Sequence, residues 1–235
     1  MQADQINLAI VAQSDNFNNW MYGEIKPYVK GDILEVGSGL GTFSQKIIAD
    51  FPQSEIYLSD INEEYLLKLR EKFGVKNNVK VIKLDLNNKS DFTAIGENKF
   101  NAIICLNVLE HVVDDSLALQ EMKKLLKPDG FLILLVPSHP WLYNKLDRAV
   151  GHYRRYNQQE LKQKLTQVGF KLERIFHFNF FAIFGWFGEG SVLQQSIHNH
   201  NLFWLFDKLV PIFKWLEKHF LFKRLGISLI VIAKK

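Results

Sequence analysis

The chain has 235 residues, long enough for one well-filled α/β core or for a core with an appended subdomain. Its single cysteine, Cys105 in the run FNAIICLN, rules out an internal disulfide framework and a cysteine-based metal cluster, and fits buried packing in a reducing, cytosolic compartment. The net charge of +4 hides an asymmetry, with residues 1–140 near −5 and residues 141–174 and 200–235 at about +5 each; no nucleic-acid recognition module accompanies the basic half, which suits an anionic substrate or anionic lipid better.

The opening segment, MQADQINLAIVAQSDN, has no basic start before a long apolar core and no cleavage-like site, so neither an export leader nor an N-terminal anchor is expected. No apolar run reaches about 18 uninterrupted residues, so no membrane span is expected either. Residues 16–29 have an amphipathic helical reading that stops near Lys30-Gly31. Short apolar runs bounded by turn signals then predict strands over Ile33–Val36, Glu55–Ser59, Lys80–Leu84, Ala102–Leu106 and Phe131–Val136. Helices are predicted between them over Phe43–Asp50, Glu63–Phe73 and Ser116–Leu126, the last stopped by Pro128-Asp129-Gly130.

Repeated strand–helix units with nearly unalternated apolar strands specify an α/β fold, a parallel sheet covered on both faces, and right-handed crossovers put the first strand centrally. The following loop, HPWLYNKLDRAVGHYRRYN, is too rich in charge and aromatic groups to be a mere connector. A helix over Gln158–Gln167 and a strand from Lys171 to about Phe176 come next. The run Ile227–Ala233 in GISLIVIAKK reads as a closing strand, after an insertion of about fifty residues, far longer than an ordinary connection.

The segment LEVGSGLGTFS, residues 34–44, ends an apolar strand in three alternate glycines. Gly37, Gly39 and Gly41 let the chain turn sharply and admit a ligand against bare main chain. A dinucleotide loop wants G-x-G-x-x-G, whose third glycine would fall at Thr42, and Glu35 adds negative charge where a pyrophosphate needs none. Both departures suit a cationic cofactor whose amino-acid moiety and sulfonium lie over the loop. Asp60, nineteen residues beyond Gly41, is placed to accept from both ribose hydroxyls, and Asp85 to accept from a nucleobase amine. Ligands of such sheets sit at the carboxyl ends of the strands, so these residues belong in one crevice. The competing readings are a tight loop without a ligand, Glu35 paired with a basic side chain, and Asp60 and Asp85 as turn residues or helix caps.

The ordered set of EVGSGLG, Asp60, Asp85, NVLEHVVDD and LKPDGFLILLVP closely resembles the class I S-adenosylmethionine-dependent methyltransferases, over residues 16–176 and toward the whole chain. The resemblance implies a Rossmann-like, mostly parallel seven-stranded sheet with an antiparallel final strand, formed by GISLIVIAKK, and helices on both faces. It implies one methyltransferase domain over residues 1–235, with a cofactor-binding core at 16–137, a substrate loop at 138–157 and an aromatic-rich insertion or lid at 177–225. The cofactor is then S-adenosylmethionine, leaving as S-adenosylhomocysteine, held by Glu35, Gly37, Ser38, Gly39, Gly41, Asp60, Ile61, Asp85, Leu86 and Asn107. In the family the glycine loop cradles the methionine end, and the counterpart of Asp60 binds ribose.

His111, after the fourth strand, stands at the lip where the methyl group emerges and is the leading base candidate, with capping a helix or holding the cofactor loop as its alternatives. His139, after the fifth strand, is a second catalytic candidate and a substrate contact. In GHYRRY, Arg154 and Arg155 offer adjacent planar forks for a carboxylate or phosphate, while Tyr143, His152, Tyr153 and Tyr156 add donors and aromatic surface. A surface charge pair is the competing use of the arginines. The run from the fifth strand through GHYRRY is similar to a subgroup found with bacterial glycosyltransferases in envelope or polysaccharide pathways. No metal is expected.

Residues 176–187 place seven aromatic side chains in twelve positions. They suit a roof over the substrate, a homodimer surface or peripheral contact with the inner face of a membrane. From Asn201 to Phe222 a 3.6-residue period puts Asp207, Lys214 and Lys218 on a narrow polar stripe, with Leu202, Leu205, Phe206, Leu209, Phe213, Leu216 and Phe220 on the broader apolar surface and Pro211 as a kink or break. The expected activity is methyl transfer to a small or hydrophobic metabolite, O-methylation slightly before N-methylation. Methylation of a protein or nucleic acid, and a non-catalytic cofactor-binding scaffold, are the alternatives.

Overall fold

A computed structural model describes residues 3–221 and 223–235. In chain order the main elements are α1 (Ala3–Ala12), α2 (Asp15–Ile25), β1 (Ile33–Val36), α3 (Thr42–Asp50), β2 (Ile56–Asp60), α4 (Glu63–Phe73), β3 (Val79–Lys83), α5 (Lys89–Ile95), β4 (Phe100–Leu106), α6 (Asp115–Leu125), β5 (Leu126–Pro137), α7 (Lys145–Val150), α8 (Gln158–Val168), β6 (Lys171–Phe178), α9 (Ala182–Phe187), α10 (His200–Leu216) and β7 (Ser228–Lys234). The strands form one sheet in the order β3-β2-β1-β4-β5-β7-β6. The first five pair in parallel, and β7 runs antiparallel between β5 and β6.

The apolar strands are buried on both faces, which is why they show little alternation. Leu34, Ile103, Cys105, Leu134 and Val231 feed a core on one face, and Ile33, Ala102, Ile104, Ile133 and Ile232 feed one on the other. The order reverses between β1 and β4, so their carboxyl ends open a crevice at the switch point. The glycine loop follows β1 and Asn107 follows β4, so the topology brings both to that crevice.

Several boundaries differ from expectation for local reasons. The predicted helix over residues 16–29 is α2 followed by one tight 3₁₀ turn, Lys26–Tyr28, where Pro27 is accommodated at the turn's start. The KPDG turn is an irregular part of β5: the pairing steps from Phe100↔Leu126 to Ala102↔Phe131, and Asp129 takes φ 61° to absorb the extra residues. Helices α1, α5, α7 and α9 are not predicted by the sequence; α7 lies inside the charged loop, begun by a reciprocal cap between Asn144 and Asp147.

The insertion between β6 and β7 folds as a cap. Helix α10 continues through Pro211 and ends in a wide turn, Glu217–Leu221; Phe222 lies outside the described residues. Its faces are not those read from the sequence. Asp207 is buried, accepting from the Phe17 backbone N–H at 2.9 Å and from Asn16 Nδ2 at 3.2 Å, so it caps α2 from across the fold. Such a cap contributes about 1 kcal/mol. Phe206, Val210 and Phe213 pack inward, whereas Leu202, Trp204, Leu205, Ile212, Trp215 and Phe220 are about half exposed or more. Glu217, also buried, accepts from the backbone N–H groups of Asn179 and Phe180, tying the cap to the end of β6.

Candidate active site

The end of β1 is built around Glu35. Its buried Oε2 accepts from Ser38 Oγ at 3.1 Å and from Ser44 Oγ, and Ser59 Oγ donates to the Glu35 carbonyl at 2.9 Å. Burial pushes the carboxyl up to about 7, against the two serine hydrogen bonds. Gly37 and Gly39 both take left-handed φ, at 69° and 51°. A Cβ on Gly37 would stand 2.3 Å from Val108 Cγ2, so side-chain bulk is excluded there as well as strained. Above Gly39, Leu8 of α1 comes within 3.3 Å of the same hypothetical atom, so α1 roofs the loop. Asn7 extends that roof to the cap, with Nδ2 donating to the Ser196 carbonyl and Oδ1 accepting from the His198 N–H.

Asp60 closes the loop from β2. Its Oδ2 accepts from the Gly39 N–H and its Oδ1 from the Asn62 N–H, each at 2.9 Å. Burial raises its pKa and these backbone donors oppose the rise. Each carboxylate oxygen has a second lone pair, so the loop contact leaves capacity for a diol. Ile61 is exposed beside it. Asp85 is half-buried and uses Oδ1 on the Asn87 N–H, a local turn contact, while Leu86 is buried. Asn107, at φ 53°, has an exposed side chain at the tip of β4. The loop, Asp60 and Asn107 thus meet at the switch point, and Asp85 lies one strand farther out.

GHYRRY docks onto the segment after β4. The Tyr153 N–H donates to the Glu110 carbonyl at 2.9 Å, Tyr156 OH to the Leu109 carbonyl at 3.2 Å, and Arg154 Nη2 to the Val113 carbonyl at 2.8 Å. Two expected substrate contacts are corrected here. Tyr156 is fully buried, and its OH also donates to Asp115 at 2.9 Å. Arg155 is buried, its Nε sharing both oxygens of Asp147 at 2.9 Å, Nη1 donating to the Ser138 carbonyl, and its guanidinium 4.5 Å from the Trp186 ring centre. Arg155 is taken up by Asp147 and Arg154 by Asp115, so the two arginines do not form one anion fork. Arg154 turns instead to Asp115 Oδ2 at 3.1 Å and remains partly exposed. Tyr143 donates its OH to the His152 carbonyl at 2.8 Å, and Tyr153 is exposed.

His152 is held by Asp147, with Nδ1 at 2.8 Å from Oδ1, while Nε2 faces Glu110 Oε1 at 3.6 Å. Asp147 is buried, which raises its pKa, but His152 and Arg155 outweigh burial and hold it below the usual carboxylate range. Glu110 is wholly buried, neither of its oxygens has a hydrogen-bond partner among the described residues, and burial pushes it up to about 7. The His111 ring stands edge-on to His152 at 4.7 Å. Ligand atoms of Glu110, His111 and His152 lie within 4.8 Å of one another. Glu110 and Asp147 were not singled out in the sequence, although Glu110 abuts His111 and Asp147 completes the Asn144 capping pattern.

His139, at φ 60°, stacks on His177 with ring centres 4.9 Å apart and planes 4° from parallel. Burial lowers both pKa values, which favours neutral rings. His139 Nε2 is buried without a hydrogen-bond partner among the described residues. Of the aromatic run, Phe176 and Phe178 are buried, whereas Phe184 and Phe187 face outward.

The strand order, the antiparallel last strand and a G-x-G-x-G loop at the switch point define a Rossmann-like class I methyltransferase fold. Residues 34–132 match the methyltransferase domain family. Over 106 residues, 45% of this chain, the sequence is 35% identical to malonyl-(acyl-carrier protein) O-methyltransferase 1 of Ilyobacter polytropus, of which it covers 36%. It is 32% identical over 114 residues to the ubiquinone/menaquinone biosynthesis C-methyltransferase of Pasteurella multocida, with 47% of this chain and 41% of that protein covered. The chain thus spans about two fifths of the length of these curated relatives. A crystal structure of a SAM-dependent methyltransferase from Archaeoglobus fulgidus has the same fold, with a TM-score of 0.63, 17% identity and 95% of each chain covered. Residues 34–132 thus carry a methyltransferase domain, and the chain as a whole has the fold of the class I S-adenosylmethionine-dependent methyltransferases.

Proposed function

We propose that this chain transfers the methyl group of S-adenosylmethionine to an oxygen of a small, hydrophobic acceptor. The observation that carries the reading is the crevice in which Glu35, the left-handed glycines and Asp60 converge. The donor set fits the cofactor: a tight left-handed loop whose Gly37 and Gly39 pack against Val108 and Leu8, Asp60 lone pairs for a diol, and buried Glu35 as counter-charge to a cation. A pyrophosphate would meet that same carboxylate unfavourably. When bound, S-adenosylmethionine supplies an electrophilic methyl on positively charged sulfur. The protein's part is to align the acceptor oxygen and exclude water.

O-methylation is supported by the groups beside Asn107. A hydroxyl must lose its proton to become nucleophilic, and His111, with His152 oriented by Asp147, supplies nitrogen acceptors there. One relative is named an O-methyltransferase and another a C-methyltransferase, so carbon is the competing acceptor. The half-exposed face of α10, flanked by exposed Lys208, Lys214 and Lys218, supports peripheral contact at an anionic, cytoplasmic membrane surface, with a homodimer as the competing use. The experiment is transfer of labelled methyl into a cell extract followed by mass identification of the product. A labelled methyl ether or ester supports the reading; label on carbon or on protein overturns the acceptor assignment, and tight cofactor binding without product points to a scaffold.

A further inference from the structure

We propose that Glu110, His111 and His152 form a binding site for one divalent transition-metal ion, such as zinc, at the lip of the methyl-transfer crevice. One carboxylate and two imidazoles are a donor set suited to zinc or ferrous iron, with coordination positions left over for an exogenous oxygen. Three observations carry this. The ligand atoms lie within 4.8 Å of one another although they come from two separated segments. The Glu110 side chain is fully buried, and neither oxygen has a hydrogen-bond partner among the described residues, a costly state for a polar group.

The third is the orientation of His152. Nδ1 is engaged by Asp147 at 2.8 Å, and Arg155 fixes Asp147 in turn. A neutral ring that donates from Nδ1 to this carboxylate presents the lone pair of Nε2 to Glu110 Oε1, 3.6 Å away. Two lone pairs facing each other in a buried site repel unless a proton or a metal ion lies between them, so the pair is a ready position for a cation. Ligands bound at about 2.1 Å in a tetrahedron stand roughly 3.4 Å apart, so this pair is already near chelating separation. His111 completes the set, with a ligand atom within 4.8 Å of the other two. The carboxylate–histidine pair behind the site is the usual outer support of a metal-bound imidazole.

The remaining positions would face the acceptor, which deepens the methyl-transfer reading and for that consequence rests on it. With the ion bound, His111 and His152 would serve as ligands in place of proton acceptors, and an acceptor hydroxyl on the ion would give up its proton to water and become a nucleophilic oxygen. A second oxygen beside it would chelate, so the favoured class is a hydroxyl next to another oxygen, as in a catechol, an enediol or a hydroxy acid.

The test is titration of chelator-stripped full-length protein with zinc by calorimetry and with cobalt(II) by visible absorption, alongside S-adenosylhomocysteine binding. The expected result is one ion per chain, cobalt bands of a four- or five-coordinate nitrogen/oxygen site, and metal affinity at least tenfold weaker in Glu110→Gln and His152→Gln. Asp147→Asn should weaken it by ~10–100-fold. Wild-type protein that binds S-adenosylhomocysteine yet gives no stoichiometric metal binding overturns the site and leaves the methyltransferase reading intact. Equal metal affinity in folded wild type and variants also overturns it, since the ion then sits elsewhere. If a variant does not fold, the wild-type stoichiometry and cobalt spectrum decide.

Discussion

Replacing Arg155 by Gln separates a structural arginine from a substrate anchor. The Arg155 side chain is 1% exposed and its partner Asp147 is 0% exposed. Gln removes the guanidinium that shares both carboxylate oxygens at 2.9 Å, and leaves Asp147 only His152 and the Asn144 N–H. Breaking one side of a buried ion pair costs about 3–5 kcal/mol. For a chain of this size that lowers Tm by about 6–20 °C. The neighbouring Arg154→Gln should cost no more than about 1 kcal/mol. Asp115 keeps Lys164 Nζ at 2.7 Å and Tyr156 OH at 2.9 Å, and Arg154 is partly in water already. Urea unfolding followed by tryptophan fluorescence reads both losses. Equal losses for the two variants would refute the assignment. So would an unchanged midpoint for Arg155→Gln with a raised acceptor KM, because the guanidinium would then be serving the substrate.

Gly37→Ala should weaken S-adenosylhomocysteine binding at least about tenfold, since the new methyl meets Val108 Cγ2 and φ is unfavourable; adding Val108→Ala should restore part of the affinity, and calorimetry showing wild-type affinity in Gly37→Ala would contradict the role of the loop's shape in binding. Glu35 has its folded pKa raised from 4.5 to about 7, so the ligand-free protein loses stability as pH rises through that window and not above it. The contribution is about 3 kcal/mol, and Glu35→Gln should flatten the decline by that amount in urea titrations between pH 4.5 and 7; an unchanged slope would sink the assignment. The exposed face of α10 predicts flotation with anionic liposomes at low salt, lost in Trp204→Ser/Trp215→Ser; failure of the wild-type protein to float removes the membrane role.

The cofactor end was legible because its signals are local. Three alternate glycines, an acid at the strand end before them and Asp60 at the next strand end need only the crossover rules to meet. Side-chain direction across distant segments was less legible. GHYRRY reads as an anion trap because two arginines are adjacent, but buried Asp147 takes Arg155 inward and Asp115 takes Arg154. Asp207 carries a charge at a position that reads as polar surface, and only the approach of α2 makes it a buried cap. Helix α1 has a weak periodic signal of its own, and its place over the glycine loop is set by tertiary contact through Leu8 and Asn7. Glu110 was hidden by its neighbour: the histidine of LEH draws attention, while the buried carboxylate, without a hydrogen-bond partner among the described residues, is visible only in three dimensions.

The central claim is that the loop after β1 holds S-adenosylmethionine and not a dinucleotide. Calorimetry of the purified chain against S-adenosylhomocysteine and against NADH tests it directly. Saturable binding of S-adenosylhomocysteine at one site per chain, abolished or strongly weakened in Asp60→Ala, with no heat from NADH, is the predicted result. Selective binding of NADH would contradict the account at its base.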